Sequence, residues 1–442
     1  MRTVAANDAF RWLAALGFLC SPLLTAIAPR WTAIFFPLLV FALLIAAMWH
    51  TVPWRELLKP SAALFGCLAL SLYVFVNASW ASNPDAGFAK ATLLLGLIVV
   101  LFGLNAIIAA LIQRQRRAFA FAFAIGAFLG ALYLVADVLT DGAITRFAFN
   151  TLPVIRPDNT KRLIVADGDV QHINLSILNQ SVTIVMLSLW PAIMILAGLA
   201  SRPVRALLIV VFFAVTVAAV FASRHDSSQI ALLGSTMVLV FAWAWPRFAI
   251  RGLAVLWCLA FVLVLPASFL ARDANLQAHA ALPKSYKARI ILWEYTAEKT
   301  LERPWLGVGV NSTREMDETR RSARDNADRI QNRKRRGGAA FPRTTGHHGH
   351  NLFLQTWHEL GAVGAALLAL AGALVLLRAE TLPRNLQPYA AAGFTVFALI
   401  GAFAWGMWQT WWICAVGLMA IYLSLGRQFR APRPPPSLGA DA

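Results

Sequence analysis

The chain of 442 residues is far more apolar than a soluble globular protein, because 59% of its residues are hydrophobic and only 14% are charged. That composition excludes an ordinary soluble domain and indicates an integral membrane protein. The net charge of +18 would suggest nucleic-acid binding in a soluble chain, but basic residues also set membrane topology, so no nucleic-acid partner is expected.

Apolar segments long enough to cross a bilayer recur along the whole chain. A membrane-spanning helix needs about 20 mostly apolar residues, and about twelve segments meet this requirement. The predicted spans are residues 10–28, 31–49, 61–80, 88–112, 118–139, 173–198, 204–222, 229–246, 249–270, 351–377, 388–406 and 409–425. The first segment also resembles a cleaved signal peptide, although a multi-span chain needs only a starting helix and an uncleaved span is preferred. The predicted fold class is an all-α polytopic membrane protein with about twelve transmembrane helices.

The charges of the short connecting segments predict the orientation of the helices. Alternate connections carry the basic residues Arg55, Lys59, Arg114, Arg116, Arg117, Arg202, Arg205, Arg247, Arg251, Arg378 and Arg384. Short loops rich in arginine and lysine stay in the cytoplasm, so both termini are predicted to be cytoplasmic. The two long connections, near residues 140–172 and 271–350, then lie on the periplasmic side.

These boundaries predict four consecutive parts of the chain. They are residues 1–270 with nine spans and the loop near 140–172, residues 271–350 as a helical periplasmic subdomain, residues 351–425 with three spans, and residues 426–442 as a disordered cytoplasmic tail. In the second part, helical spacing predicts a helix from Lys284 to Arg303. Asn311 to Glu315 resembles a capping box that begins a charged helix ending near Arg336.

The stretch from Gly346 to Gly364 places ionisable residues where a polar segment meets an apolar helix. Such residues are costly in a membrane and usually mark a functional site. His350 directly precedes the predicted helix, whose macrodipole disfavours a protonated imidazole, so it is the best candidate for a proton acceptor. His347 and His348 are secondary candidates.

Two further residues of this stretch, Asn351 and Glu359, are also secondary candidates. Asn351 lies beside His350 at the start of the helix. Glu359 lies about two and a half turns further along, half-way round the helix, so it cannot be the direct partner of His350. We therefore expect Glu359 to be a buried structural or hydrogen-bonding group.

Two arginines stand at positions suited to anion binding, and each has a second interpretation. Arg224 closes a span, where it either reaches towards the lipid head groups or holds an anion at the mouth of a cavity. Arg289 lies among apolar residues of its helix, where it either pairs with Glu294 or binds a second phosphate oxygen.

The sequence favours no metal site and no cofactor. Asp167-Gly168-Asp169 resembles an acidic pair that holds a divalent metal, but short strings of this kind are common in polar loops, and a loop or acceptor-contact role is favoured. The histidines near His350 have no matching carboxylate triad or cysteine nearby. The cysteines all lie in apolar runs and are expected to be small buried side chains.

The string H-N-x-x-L-Q-x-x-x-E-L-G-x-x-G from His350 to Gly364 closely resembles the signature of the bacterial O-antigen ligase and polymerase superfamily, which also contains protein O-oligosaccharyltransferases. Arg289, the segment Pro304-x-x-Gly307-x-Gly309 and the pair Ser223-Arg224 match the same pattern. The resemblance covers roughly the second half of the chain, and its layout is closest to that of the ligases.

The resemblance implies a GT-C-like glycosyltransferase of the bacterial inner membrane with its active site on the periplasmic face. Its donor would be a glycan on undecaprenyl pyrophosphate, and its acceptor a hydroxyl of lipid A–core. It implies a metal-independent inverting reaction in which His350 is the base and Arg224 and Arg289 bind the pyrophosphate. An O-antigen polymerase, a protein O-oligosaccharyltransferase and a lipid or solute transporter remain alternatives.

Overall fold

A computed structural model describes residues 2–47, 57–156, 162–316, 345–346 and 348–430. Several features predicted from the sequence lie outside these residues. They are the basic residue Arg55, the candidate His347, the charged helix up to Arg336 and the tail from residue 431.

Long helices make up most of the described chain. They are α1 (Arg2–Ile27), α2 (Thr32–Ala47), α3 (Ala62–Ala78), α4 (Pro84–Ala110), α5 (Gln113–Leu139), α6 (Ala143–Thr151), α7 (Asn179–Leu196), α8 (Arg202–Ala222), α9 (Asp226–Ala244), α10 (Pro246–Asp273), α11 (Lys284–Leu301), α12 (Leu352–Arg378), α13 (Gln387–Phe403) and α14 (Thr410–Phe429). Every predicted span overlaps one of these helices.

Within the described ranges, nine helical segments are long and apolar enough to cross a membrane. Three shorter apolar helices, Arg11–Ile27, Ala62–Ala78 and Gln387–Phe403, fall below that length. The prediction of an all-α polytopic membrane protein is therefore confirmed, whereas the number of twelve spans stays a prediction. The orientation of the termini also stays a prediction, as does the division into four parts.

Local sequence signals explain where several helices begin. The Oγ of Ser61 accepts a hydrogen bond from the backbone N of Leu64 at 3.2 Å, which caps α3. Pro246 is the first residue of α10, where a missing N–H costs nothing. These signals determine where the helices begin. The helices form because an apolar segment in a membrane must satisfy its backbone hydrogen bonds within itself.

The first long connection contains a two-stranded antiparallel hairpin, β1 (Leu163–Ala166) and β2 (Asp169–Ile173). Its turn is Asp167-Gly168, and both residues have positive φ, at 54° and 84°. Asp-Gly is a favoured pair for a two-residue hairpin turn of this backbone conformation. The string Asp167-Gly168-Asp169 therefore has a structural explanation as a turn.

The predicted capping box in the second long connection has partners in another segment of the chain. The Oγ of Ser312 accepts a hydrogen bond from the backbone N of Ser82 at 2.9 Å, and Glu315 accepts one from the amide of Asn83 at 2.9 Å. These side chains join the connection to the segment before α4. These residues therefore make tertiary contacts at the start of this helix.

The chain forms two compact units. Unit 1 contains residues 1–57, 103–223 and 418–442, and unit 2 contains residues 58–102 and 224–417. The core of unit 1 includes stacked rings, with centroids 5.2 Å apart for Phe18 and Phe119 and 4.0 Å apart for Phe123 and Tyr422.

The core of unit 2 is built around Trp257 of α10. Its ring makes edge contacts with Phe261, Phe353 and Phe394 at centroid distances of 5.1–5.3 Å. Its indole N–H donates to the carbonyl of Ala369 at 3.1 Å. These contacts fix α12 against α10, and α12 directly follows His350 and carries Glu359.

Candidate functional site

The helix α12 is broken at Gly361, and the break is occupied by the turn at Gly307. Both glycines have positive φ, at 65° and 71°. A Cβ on Gly361 would lie 2.3 Å from the carbonyl oxygen of Trp305, and a Cβ on Gly307 would lie 2.3 Å from that of Glu359. Only glycine fits this close approach of two backbones.

Backbone hydrogen bonds join the two segments on either side of the break. The N–H of Val308 donates to His358 at 3.0 Å, and the N–H of Gly309 donates to Glu359 at 3.0 Å. In return, the N–H of Ala362 donates to Pro304 at 2.8 Å. The Pro304–Gly309 segment therefore satisfies carbonyls that the broken helix leaves without helical partners.

The carboxylate of Glu359 is fully buried and is surrounded by donors from three parts of unit 2. It accepts from the backbone N of Asn311 at 3.0 Å and from the N and Oγ1 of Thr313 at 3.1 and 2.5 Å. It also accepts from the Nε2 of Gln355 at 3.2 Å and from the indole of Trp408. We call this group the Glu359 cluster. A buried carboxylate needs such compensation to be tolerated.

The Glu359 cluster also holds the connection between α13 and α14. The amide oxygen of Gln355 accepts a hydrogen bond from the backbone N of Met407 at 3.1 Å, next to Trp408. The same connection includes Ala404, whose carbonyl oxygen lies 2.7 Å from the Nδ1 of His350. The buried carboxylate and the histidine are therefore linked through one short segment.

The contact with Ala404 determines which nitrogen of His350 carries the proton. A carbonyl oxygen only accepts hydrogen bonds, so the Nδ1 of His350 must be the donor. In the neutral ring, Nε2 then carries the lone pair. His350 is half-buried and has a positive φ of 47°, so a strained backbone holds it at this position.

The neighbours of His350 have distinct positions. Asn351 caps α12, because its Oδ1 accepts from the backbone N of Leu354 at 3.0 Å. The ring of His348 lies 4.0 Å from that of His350, centroid to centroid, at an angle of 64°. The indole of Trp293 on α11 donates to the carbonyl of Gly349 at 2.9 Å, which ties this histidine segment to α11.

Arg224 lies exposed in the turn before α9, with a positive φ of 56°. The next residue, His225, is buried, and its Nδ1 lies 2.8 Å from the Oγ of Ser228. The ring of His225 contacts that of Trp405, with the centroids 6.0 Å apart. The same turn therefore exposes the side chain of Arg224 and buries that of His225.

Arg289 lies close enough to His225 for their charges to interact. Burial and, second, the positive charge of Arg289 lower the pKa of His225 to about 4. Burial also lowers the pKa of Arg289, while Tyr286 and Asp226 act in the opposite direction. The guanidinium carbon of Arg289 lies 5.5 Å from the ring centroid of Tyr286. The neighbours seen at Arg289 are thus Tyr286 and Asp226, and its other interpretation, binding of a phosphate oxygen, stays a prediction.

Contacts within unit 2 connect the segments that carry the predicted site residues. His350 contacts Ala404, the adjacent Trp405 contacts His225, and His225 interacts with Arg289. Arg224 precedes His225 directly. One histidine and two arginines that are far apart in sequence are therefore carried by segments that contact one another.

Sequence reasoning did not single out several residues of this region. His225 and Asp226 stand beside Arg224, and their polar character at the start of a helix was a usable signal. Trp405 and Trp408 lie in a short tryptophan-rich connection. Tryptophan is common at the membrane boundary, so its presence there did not indicate a functional role. The role of Trp408 as a donor to Glu359 had no local signal.

Comparison with known proteins identifies the same region. A family model described as O-Antigen ligase matches residues 208–369. The resemblance to the O-antigen ligase superfamily is confirmed. The match includes the candidates Arg224, Arg289, His350 and Glu359.

Three curated relatives have names that describe them as polysaccharide ligases, from Rickettsia prowazekii, Rickettsia typhi and Rickettsia conorii. Their sequences are 28%, 27% and 28% identical to this chain over 140, 140 and 138 residues. Each alignment covers 31% of this chain and 31% of the relative. The similarity therefore concerns about a third of each protein.

Proposed function

We propose that this multi-pass membrane protein is a glycosyltransferase of the O-antigen ligase type. It transfers an O-antigen glycan from undecaprenyl pyrophosphate to a hydroxyl of lipid A–core, at the periplasmic face of the bacterial inner membrane. The family match and the contacts of His350 with Ala404 support this proposal. A GT-C-like architecture and cytoplasmic termini belong to the same proposal.

The observation that carries the proposal is the hydrogen bond from the Nδ1 of His350 to Ala404. With Nδ1 as the donor, Nε2 is the ring nitrogen that accepts the proton of the acceptor hydroxyl. The acceptor oxygen then forms a bond to the anomeric carbon of the donor sugar. The bond from that carbon to the pyrophosphate oxygen breaks, the pyrophosphate leaves with the electron pair, and the configuration inverts.

The leaving pyrophosphate gains negative charge as this bond breaks. Arg224 and Arg289 are suited to stabilise that charge, because a guanidinium forms paired hydrogen bonds with phosphate oxygens. Arg289 is half-buried beside Tyr286, so water screens its charge less than that of an exposed arginine. We expect Arg289 to contribute more to the rate and Arg224 more to donor capture.

The direct test is transfer by purified protein from a lipid-linked glycan to lipid A–core, measured as product by gel or mass spectrometry. His350→Ala should lower the rate by about 100-fold or more, since general bases contribute about 10²–10⁴. Its thermal unfolding should be unchanged. His279→Ala, an exposed histidine of the same long connection, is the matched control. Normal transfer by His350→Ala would exclude this base.

Two further arms separate the parts of the proposal. Arg224→Ala and Arg289→Ala should each lower the rate at a limiting donor concentration. Wild-type rates in both variants would contradict the proposed pyrophosphate site. Addition of EDTA should leave the rate intact, and a loss restored only by a divalent cation would reopen a metal-dependent reaction. Product formed from lipid-linked glycans alone would identify a polymerase instead of a ligase.

A further inference from the structure

The short helix α6 (Ala143–Thr151) follows α5, which is long and apolar enough to cross the membrane, and α6 has apolar residues on two faces. One face carries Thr145 and Phe149, which are buried. The other carries Ile144 and Phe147, which are neighbours on the helix surface, and 72% of Phe147 is exposed. An amphipathic helix normally buries its apolar stripe and leaves the rest polar, so the exposed apolar face needs a second explanation.

The hairpin of β1 and β2 covers the buried face of α6. Phe149 packs with Val170 and Ile173 of β2 in one apolar cluster. The Oδ1 of Asn150 accepts a hydrogen bond from the backbone N of Val170 at 2.8 Å, which fixes the helix on the strand. The hairpin therefore occupies one face of α6, and the face with Phe147 stays outside this contact.

Hydrogen bonds to Asp137 fix the start of α6 at the end of α5. The buried carboxylate of Asp137 accepts from the backbone N of Thr145 at 2.9 Å and from its Oγ1 at 2.6 Å. The carbonyl oxygen of Asp137 accepts from the backbone N of Gly142 at 2.7 Å. Hydrogen bonds to a carboxylate are among the strongest in proteins, so α6 is held at the level of the last turn of α5.

That level corresponds to the boundary of the membrane. The apolar part of α5, residues 118–139, is about 33 Å long at about 1.5 Å per residue, close to the hydrocarbon thickness of about 30 Å. The exposed Arg114 and Arg117 precede this part and belong in the head-group layer or in water. Leu139 then lies at the opposite boundary, and Asp137 holds α6 there as well.

Exposed apolar residues mark the lipid-facing side of α5 and continue beyond its end. Ile125, Leu132 and Leu139 lie two helical turns apart, so they form one line along the helix. Four exposed apolar residues follow after the turn, and we call them the α6 patch: Ile144, Phe147, Leu152 and Val154. The α6 patch is thus adjacent to a surface that contacts lipid, which favours lipid as its partner.

The charges beside the α6 patch show which part of a lipid it suits. Asp141 and Arg146 flank the patch with opposite charges, and the Nη1 of Arg146 donates to the carbonyl oxygen of Asp141 at 2.6 Å. The patch itself consists of apolar side chains, so its affinity for a membrane depends on apolar area and does not require anionic head groups.

We propose that the α6 patch inserts among the lipid acyl chains just below the head groups, so that α6 lies in the plane of one membrane surface. Interfacial helices bury their apolar face about 5–10 Å into this boundary. The hairpin then rests on the water-facing side of α6. This inference does not depend on the proposed transfer reaction.

The test measures the depth of a nitroxide attached to Phe147→Cys or Val154→Cys in the full chain in lipid nanodiscs. Collisions with oxygen, which is soluble in acyl chains, are compared with collisions with a water-soluble nickel complex. The ratio of the two should be about tenfold higher at these positions than at Gln171→Cys, an exposed position of β2. The wild-type chain, labelled in parallel, gives the signal of its four native cysteines.

Each other result would overturn the proposal. Frequent collisions with nickel at both patch positions would place the patch in water. Rare collisions with both reagents would show that protein covers it, and dipolar coupling between nitroxides on separate copies would identify a second copy of this chain. A high ratio only in nanodiscs that contain phosphatidylglycerol, and not in phosphatidylcholine alone, would overturn insertion by apolar contact.

A charged substitution tests whether the patch itself sets the depth. Phe147→Asp, combined with the nitroxide at Val154→Cys, should lower the ratio several-fold, because a carboxylate resists transfer into acyl chains. Gln171→Asp adds the same charge on the hairpin and should leave the ratio unchanged. Equal ratios for the two variants would contradict the insertion of Phe147, provided that both retain the thermal unfolding temperature of the labelled parent.

Discussion

The two ends of the string from His350 to Gly364 differ sharply in their surroundings. His350 is half-buried and directs one ring nitrogen to the carbonyl of Ala404. Glu359 is fully buried, and donors from Asn311, Thr313, Gln355 and Trp408 surround its carboxylate. One end of the string is suited to exchange a proton with a substrate, and the other is suited to hold the fold.

The difference teaches that one sequence signature combines two physical requirements. Chemistry at His350 needs a ring with a defined tautomer near solvent, which a carbonyl from another segment provides. That segment, residues 404–409, is in turn fixed through Gln355 and the Glu359 cluster. The buried end therefore positions the partner of the exposed end, and variants of each end should fail in different ways.

Among the predicted variants, Glu359→Ala should have the largest effect on the stability of the protein. The change leaves several buried donors without an acceptor, and each such donor costs about 1–3 kcal/mol. The sum approaches the whole free energy of unfolding of an ordinary protein, about 5–15 kcal/mol. We expect no stable folded protein, measured as thermal unfolding in detergent. Glu359→Gln keeps one acceptor oxygen and should be intermediate.

The matched control is Glu380→Gln. Glu380 forms a two-point ion pair with the exposed Arg251 in the same unit, with N–O distances of 2.8 and 3.1 Å. Surface pairs of this kind contribute little to stability. A Glu359→Ala protein as stable as this control would contradict the role assigned to the Glu359 cluster.

The second prediction concerns the break in α12. Gly361→Ala places a Cβ in a backbone region that only glycine adopts easily, with φ 65° and ψ −168°. The added atom would also lie 2.3 Å from the carbonyl oxygen of Trp305. We expect a large decrease in thermal stability and, with it, loss of transfer activity.

Gly252→Ala is the control for that variant, since a Cβ there meets nothing within 4 Å and the residue lies inside α10. Alanine in a helix is favoured over glycine by about 0.5–1 kcal/mol, so this variant should be as stable as the wild type or slightly more stable. Similar unfolding temperatures for both variants would show that the break at Gly361 is not structurally required.

These elements also define what sequence alone could predict. The spans follow from local composition, and the helices overlap every predicted one. The burial of Glu359 followed from its spacing, but three of its four donor residues did not, because Asn311, Thr313 and Trp408 lie 46–49 residues away. For Arg289 the sequence left pairing with Glu294 and binding of a phosphate oxygen open, whereas the structure brings Tyr286 and Asp226 close to it. Contacts between distant segments leave no periodic trace in the sequence.

The third prediction distinguishes the histidines at the exposed end. His348 lies 4.0 Å from His350, ring centroid to ring centroid, but the hydrogen bond to Ala404 belongs to His350. We therefore expect His348→Ala to lower the rate of glycan transfer by less than tenfold, well below the effect of His350→Ala. The measurement is the initial rate at saturating donor and acceptor. The reverse order of effects would assign the base to His348.

The last prediction concerns a dependence of stability on pH that originates at His225. Its folded pKa is about 4, because burial and the charge of Arg289 oppose protonation, whereas an unfolded histidine titrates near about 6.5. Between about pH 6.5 and about pH 4 the unfolded chain binds a proton at this histidine that the folded chain does not bind. The free energy of unfolding should therefore decrease as the pH falls from about 6.5 to about 4, by roughly 3 kcal/mol in total. His225→Asn keeps a polar group near Ser228 and cannot titrate, so its unfolding temperature should decrease less over this interval than that of the wild type. His279→Asn, at an exposed position, should retain the wild-type slope, and an unchanged slope in His225→Asn would show that another group controls the acid response.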